Sequence, residues 1–444
     1  MNRPIPVTPG STRGPASSLQ PAERSGTPAQ GRGDETEVPT DIRALDATDP
    51  LAPLRDRFAL PEGIIYLDGN SLGPLTHAGR AAIADCADRQ WGVRLIRSWN
   101  EGWIDAPVRL GAKLAPLLGA APHQVIVGDT TSANLFKALV AALRVQAERD
   151  PARRVVVSEL GNFPTDLHIA EGAVACVPGA TLRAVPRADL DGALGDDTAV
   201  LMLTHVHYKT AERFDMPAWT ARAQAAGALM LWDLSHSVGA VPVALDEANA
   251  DLAVGCTYKY LNGGPGAPAF LYVADRWQHH LESPLSGWMG HAEPFAFTDA
   301  YRPAPGMKRW LVGTPPMLSM AALEAALNLW ADVDQAVVAA KSAALFDILL
   351  AAGDLAGLPC VTPTDPARRG SHISFRHSHA YALAQALIEH GVIGDFRAPD
   401  ILRLGLTPLY LTHQEAWRAG ELLRKVVAGE LWREERYSTR LAVT

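Results

Sequence analysis

The sequence predicts an α/β protein, with a mainly parallel sheet interleaved with helices and then a smaller α+β unit. Three observations carry that reading. From about Asp41 onward, short apolar runs alternate with Ala- and Leu-rich amphipathic stretches, the rhythm of strand and helix units around a parallel sheet. The runs are apolar throughout rather than every second residue, as expected of strands buried on both faces. After Pro363 the rhythm changes to strand, helix, strand, helix.

Residues 1–40 are rich in Pro, Gly, Ser, Thr, Ala and Arg. They bury too little apolar surface to offset their ordering entropy, so a flexible tail is expected there. The expected buried strands are Val125–Val127, Arg154–Ser158, Ala199–Leu203, Ala228–Asp233 and Leu252–Gly255, each too short for a typical helix. Helical spacing of apolar residues marks Leu135–Glu148, Pro217–Ala226 and Met317–Val333. Beyond them come a strand at Ser371–Arg376, a helix at His379–His390, a strand at Ile401–Leu406 and a closing helix at His413–Glu430. The expected domains are therefore 41–335, an N-terminal segment with the large domain, and 336–444, the small one.

With 444 residues, 48% hydrophobic and 20% charged, the chain is long enough for a sizeable core without disulfide or metal staples. A net charge of -8 and no local basic patch argue against nucleic acid as a partner. The opening MNRPIPVTPG has no signal-peptide apolar region, and no apolar run approaches the roughly 18 residues of a membrane span. Cys86, Cys176, Cys256 and Cys360 lie far apart with no paired spacing, so a cytoplasmic location is expected.

Chemistry concentrates in Leu231-Trp-Asp-Leu-Ser-His236 and Gly255-Cys-Thr-Tyr-Lys259-Tyr-Leu-Asn-Gly-Gly-Pro-Gly266. Asp233 closes an apolar strand, which places a carboxylate at the sheet edge where α/β proteins bind ligands. Lys259 follows the next apolar segment among small and aromatic residues, in a setting that can make its amine nucleophilic. An aspartate to hold a pyridine nitrogen protonated and a lysine to form a Schiff base are the two parts a pyridoxal phosphate (PLP) site requires. Taken singly, Asp233 reads more readily as a helix N-cap and Lys259 as a surface lysine; together they favour the cofactor. The glycine run, which also reads as a plain loop, lacks the dinucleotide spacing and the strand-to-helix context, which argues against NAD. Gly128-Asp-Thr-Thr131-Ser132-Ala-Asn134 lies between a strand and a helix, so amides and hydroxyls converge where a phosphate binds; the alternative is a plain helix cap.

These elements resemble those of the kynureninases, fold-type I PLP enzymes. The resemblance runs through Tyr66-Leu-Asp-Gly-Asn-Ser-Leu-Gly-Pro74, Phe163-Pro-Thr-Asp166, Asp233-Leu-Ser-His236, Ser286-Gly-Trp288-Met-Gly-His291, Gly313-Thr-Pro-Pro316 and Ile401-Leu-Arg403-Leu-Gly-Leu-Thr-Pro-Leu-Tyr410, covering everything after the tail. It implies a large domain built on a mainly parallel seven-stranded sheet and hydrolysis of L-kynurenine to anthranilate and L-alanine in tryptophan degradation. Lys259 would carry the cofactor and move the α-proton, Asp233 would pair with the pyridinium, and Phe163 would stack on the ring. Thr131, Ser132 and Asp166 would contact the cofactor or its phosphate, and Thr204 and His236 would complete the pocket. Tyr258 would reach the phosphate and assist proton transfer. Arg403 would grip the substrate carboxylate, a task suited to a planar guanidinium, with Ser71 near the substrate. Trp288 and Thr314 would complete the site of a neighbouring subunit, which implies a homodimer.

Phe163 and Trp288 as core aromatics, Arg403 in a structural ion pair and His236 as a core histidine are the plainer alternatives. His205, His207 and His291 raise a zinc site only weakly, and no metal is expected. Animal relatives carry Asn at the position of Thr314 and a His-containing segment at Leu95–Asn100, so 3-hydroxykynurenine is expected to be the weaker substrate here. The alternative functions are a related aminotransferase, a cysteine desulfurase, or a catalytically silent binding protein on the same fold.

Overall fold

The structure, a computed structural model, describes residues Glu37–Arg440. The expected tail lies outside the described residues up to position 36. Val38 is buried and the helix Thr40–Ala47 begins at the tail's last position, so packing starts slightly earlier than expected.

Strand β1 (Ile65–Tyr66) precedes the main sheet, which contains β2 (Val125–Val127), β3 (Val155–Glu159), β4 (Thr181–Val185), β5 (Thr198–Thr204), β6 (Leu229–Asp233), β7 (Leu252–Gly255) and β8 (Phe270–Val273). The seven strands lie in the order β2-β8-β7-β6-β5-β3-β4. The β3–β4, β3–β5, β5–β6 and β6–β7 pairs are parallel, and β8 runs antiparallel to both neighbours. All five expected strands are present. The two unexpected ones gave weak signals: β4 is a partly exposed edge strand interrupted by Arg183, and β8 has only four residues after a Gly- and Pro-rich turn.

The unbroken apolar runs have a direct structural reason. Successive strand side chains point to opposite faces, and here each face meets its own core. Val125, Val127, Leu201, Leu203, Met230, Trp232 and Phe270 join one cluster, while Ile126, Val200, Met202, Leu229, Leu231 and Leu271 join the other. The helix Thr131–Arg149 covers the second face, where Leu135, Ala138, Leu139 and Ala142 are buried. It begins four residues before the expected start because Thr130 caps it, accepting a hydrogen bond from the Ala133 amide.

Strands β9 (His372–Arg376), β10 (Val392–Ile393), β11 (Asp395–Arg397) and β12 (Ile401–Gly405) follow. Three of them form the antiparallel sheet β11-β12-β9, and β10 pairs in parallel with β1. The N-terminal segment is thereby hydrogen-bonded to the last third of the chain. The helix Met317–Leu329 stops before the expected Val333, and Gln335–Leu355 is a helix of its own. That helix is long and apolar enough to cross a membrane, but it packs against the helix His413–Ala428. Its Lys341 is buried and bonded to Asp49 at 2.6 Å and to the Pro408 carbonyl, as in a core helix.

Candidate active site

The carboxyl ends of β5, β6 and β7 bring Thr204, Asp233 and the Cys256–Lys259 segment to one edge of the sheet, where open α/β sheets take their ligands. A cavity of about 240 Å³ opens there. Nine expected residues line it: Thr131, Ser132, Phe163, Asp166, Thr204, Asp233, His236, Tyr258 and Lys259. Thr165, Tyr208 and Ser235 line it too and were not expected. Each adjoins an expected residue in sequence or space, but none carries a motif of its own.

Lys259 Nζ lies 2.8 Å from His236 Nε2. Burial, and then the charge of Lys259, hold the His236 imidazole far below its ordinary pKa, so it is neutral; its buried Nδ1 has no partner. Asp233 receives the Ser235 amide at 2.8 Å, which fixes the carboxylate at the end of β6. Asp166 is buried beside it and accepts from the Thr204 hydroxyl at 3.0 Å. Burial and the neighbouring Asp233 raise the Asp166 pKa well above the carboxylate range, because two adjoining carboxylates in a dry site resist joint ionisation. Phe163 remains 39% exposed and meets Tyr208 edge-on, with ring centroids 5.3 Å apart. Burial also raises the Tyr258 phenol and the Cys256 thiol.

The Gly69–Gly73 motif is explained by close approach. Gly73 donates its amide to the Tyr258 carbonyl at 2.8 Å, and a Cβ there would stand 2.2 Å from the Lys259 carbonyl oxygen. At Gly69 a Cβ would meet the Thr407 and Tyr410 hydroxyls at 2.5 Å. This turn therefore presses the lysine loop from one side and the Thr407–Tyr410 segment from the other.

Arg403 and Ser71 lie outside the cavity lining, in a polar network beside it. Arg403 is buried and donates from Nε to Asp395 Oδ1 at 2.8 Å, from Nη2 to Ser71 Oγ at 2.8 Å, and from Nη1 to the Tyr208 carbonyl. The ion pair expected as its plainer role is present. Asp395 and Arg397 belong to the same network and went unnoticed in sequence, where an alternating Asp-x-Arg on a short strand looks like any exposed strand face; Asp68 and Asn70 join it from the Tyr66–Pro74 motif, which gave them no role of their own.

Trp288 and Thr314 do not reach the cavity and are exposed. The segments that carry them pack together, with the Met289 amide donating to the Val312 carbonyl at 3.3 Å. His205, His207 and His291 do not converge: the first contacts Ser237, the second the Gly161 carbonyl and the third the Ala300 carbonyl.

Known proteins match this arrangement along nearly the whole chain. A kynureninase from Burkholderia mallei (strain SAVP1) is 53% identical over 408 residues, covering 90% of this chain and 98% of that protein. The chain belongs to the kynureninase family. A kynureninase from Pseudomonas fluorescens is 51% identical over 414 residues, covering 91% of this chain and 99% of that protein. The family model described as the kynureninase C-terminal domain matches residues 338–423. Among solved structures, a cysteine desulfurase from Thermococcus onnurineus NA1 superposes with a TM-score of 0.71 at 16% identity, covering 89% of this chain and 99% of that one. A C-DES mutant with glycine covalently linked to its PLP cofactor superposes with a TM-score of 0.72 at 19% identity, covering 83% of this chain and 98% of that one. Those two likenesses show the fold, the fold-type I architecture.

The residues of this kynureninase-family chain fit PLP. The first-turn amides and hydroxyls of Thr131 and Ser132 suit a phosphate at a helix N-terminus. Asp233 suits a pyridine nitrogen, the Lys259 amine suits an aldehyde carbon, and the orphaned Nδ1 of His236 marks a buried polar position still able to bond.

Proposed function

We propose that this protein is a kynureninase that hydrolyses L-kynurenine to anthranilate and L-alanine, with PLP held at Lys259. The observation that carries the reading is the single cavity shared by Lys259, Asp233, His236, Tyr258 and the Thr131–Ser132 helix start, in a chain 53% identical to a named kynureninase.

PLP, when bound, supplies an electron sink for the carbanion formed at the substrate α-carbon. The chain's residues do the rest. Lys259 Nζ accepts the α-proton and returns it. Asp233 holds a proton at the pyridine nitrogen, while Asp166, kept neutral, adds no second negative charge. Phe163 would cover the ring, and Thr204 and His236 would complete the pocket around it. Tyr258 keeps its phenolic proton at neutral pH and donates it as water adds to the aryl ketone and the Cβ–Cγ bond breaks. Arg403, oriented by Asp395, donates to the substrate carboxylate, with Ser71 beside it.

The working unit in this reading is a homodimer. Trp288 and Thr314 sit exposed on adjoining segments near the exposed Phe295 and Phe297, so a second copy can place them at its partner's cavity. Residues 41–335 form the large domain and 336–444 the small one, with β1 tying the N-terminal segment to the small domain. The enzyme works in the cytoplasm in tryptophan degradation and prefers L-kynurenine to its 3-hydroxy relative.

The test is to load the purified protein with PLP, add L-kynurenine, and follow anthranilate fluorescence together with L-alanine by amino-acid analysis. Equimolar release of both is the expected result. Sulfur transfer from added L-cysteine with release of L-alanine, and no anthranilate from L-kynurenine, would replace the reading with a desulfurase-type reaction. Binding without turnover would make the chain a silent binding protein.

A further inference from the structure

Asp395 and Arg397 stand two residues apart on β11, so their side chains share one face of the strand, and Arg403 of β12 lies directly opposite Asp395. Two guanidiniums are thus brought to one carboxylate. They are not equivalent. The Arg403 side chain is 1% exposed, and it bonds to Asp395, Ser71 and the Tyr208 carbonyl through all three of its nitrogens. Arg397 is 34% exposed, and both of its side-chain hydrogen bonds leave from Nη2, to Asp395 Oδ2 at 2.6 Å and to Ser71 Oγ at 3.0 Å. Its Nε is buried without a partner. A guanidinium carries five N–H donors, so Arg397 keeps a planar fork largely uncommitted.

The location suits an anion that enters from the cavity. The cluster adjoins the cavity wall, since Arg403 donates from Nη1 to the carbonyl of Tyr208, which lines the cavity. Counter-charge is short: Asp395 is shared by two cations, and burial and then Asp395 push the fourth member, Asp68, up to about 7. The cluster therefore holds more positive than negative charge near neutral pH, beside the Arg403 to which the proposed function assigns the substrate carboxylate.

We propose that Arg397 is the second arm of the carboxylate site, with Arg403 the arm fixed by Asp395 and Arg397 the arm whose free N–H groups close on the substrate. The proposal rests on the kynureninase reading above and adds a specificity-determining residue to it. Sharing Asp395 and Ser71 couples the two arms, so the site takes an α-amino acid and discriminates against the corresponding amine.

The experiment compares the parent holoenzyme with Arg397→Gln and Arg397→Lys. It measures kcat and KM for L-kynurenine. It also measures binding of L-alanine and of 3-(2-aminophenyl)-3-oxopropylamine, the substrate's amine without its carboxylate, through the change in cofactor absorbance. Arg397→Gln is expected to weaken L-alanine binding and raise KM at least about tenfold, the loss of one charge-assisted bond, with amine binding within about twofold of the parent. Arg397→Lys should fall between, and it carries the test alone if thermal unfolding shows that the glutamine variant does not fold. Parent-like binding of both ligands in the variants, or equal losses for both, would overturn the proposal. A parent that binds both ligands but releases no anthranilate would sink the kynureninase reading instead, leaving the L-alanine comparison to decide Arg397.

Discussion

Lys259 Nζ lies 2.8 Å from Nε2 of His236, an imidazole that burial and the lysine's own charge keep neutral. A neutral ring leaves a nitrogen lone pair free to accept from the lysine Nζ and places no second positive charge beside it, so the amine is aimed by its neighbour.

Lys259→Ala should therefore lower anthranilate release from L-kynurenine by more than about a hundredfold, the scale of a positioned proton-transfer group. Unfolding behaviour should remain normal, since the side chain lines a cavity rather than filling the core. Unchanged fluorescence traces from a folded variant would remove Lys259 from the mechanism.

Gly73→Ala is expected to impair activity from outside the cavity lining. Its Cβ would stand 2.2 Å from the Lys259 carbonyl, a backbone atom that cannot swing aside, and overpacking of this kind costs about 1–3 kcal/mol. Both kcat and the thermal midpoint should fall. A variant with parent-like kinetics would mean that the lysine loop tolerates displacement.

Asp68 offers a test by pH. Its folded-state pKa is pushed up to about 7 by burial, and then by Asp395, from an ordinary 3.8. The folded state thus binds more protons than the unfolded chain between those values, and stability is lost as pH rises through that window. Asp68→Asn should remove the loss, so its urea midpoint should gain on the parent's between about pH 4 and 7 and hold a constant lead above. Parallel midpoint curves would show that Asp68 ionises freely.

Thr412 and Glu415 form a reciprocal cap at the start of the helix His413–Ala428, each accepting the other's amide at 3.0 Å. Thr412→Ala should cost about 0.5–2 kcal/mol of stability in denaturant titrations, with KM for L-kynurenine unchanged because neither cap residue lines the cavity. A neutral stability change would mean that Glu415, also paired with Arg55, holds the turn alone.

Thiol chemistry separates this protein from a desulfurase. Burial raises the Cys86, Cys256 and Cys360 thiols, whereas Cys176 is exposed. A thiol reagent should label Cys176 first, with full activity retained. Inactivation in step with labelling of Cys256 would contradict that order.

The sequence by itself determined whatever depends on neighbours along the chain. Unbroken apolar runs announced strands buried on both faces, and Asp233 and Lys259 announced the chemistry because one closes an apolar strand and the other follows the next; the Thr130 cap, which starts its helix four residues ahead of the expected position, was not read. Tertiary structure decided what depends on register between distant segments. Arg403 meets Asp395 only because β11 and β12 pair in one register, and a slip of one residue would turn the side chain to the other face. Ser71 reaches that pair because β1 lies along β10, more than 300 positions later. Trp288 and Thr314 stand away from the cavity for the same kind of reason. Where a side chain ends up depends on which segments the two cores press together, and that choice is a property of the whole packed chain rather than of any motif within it.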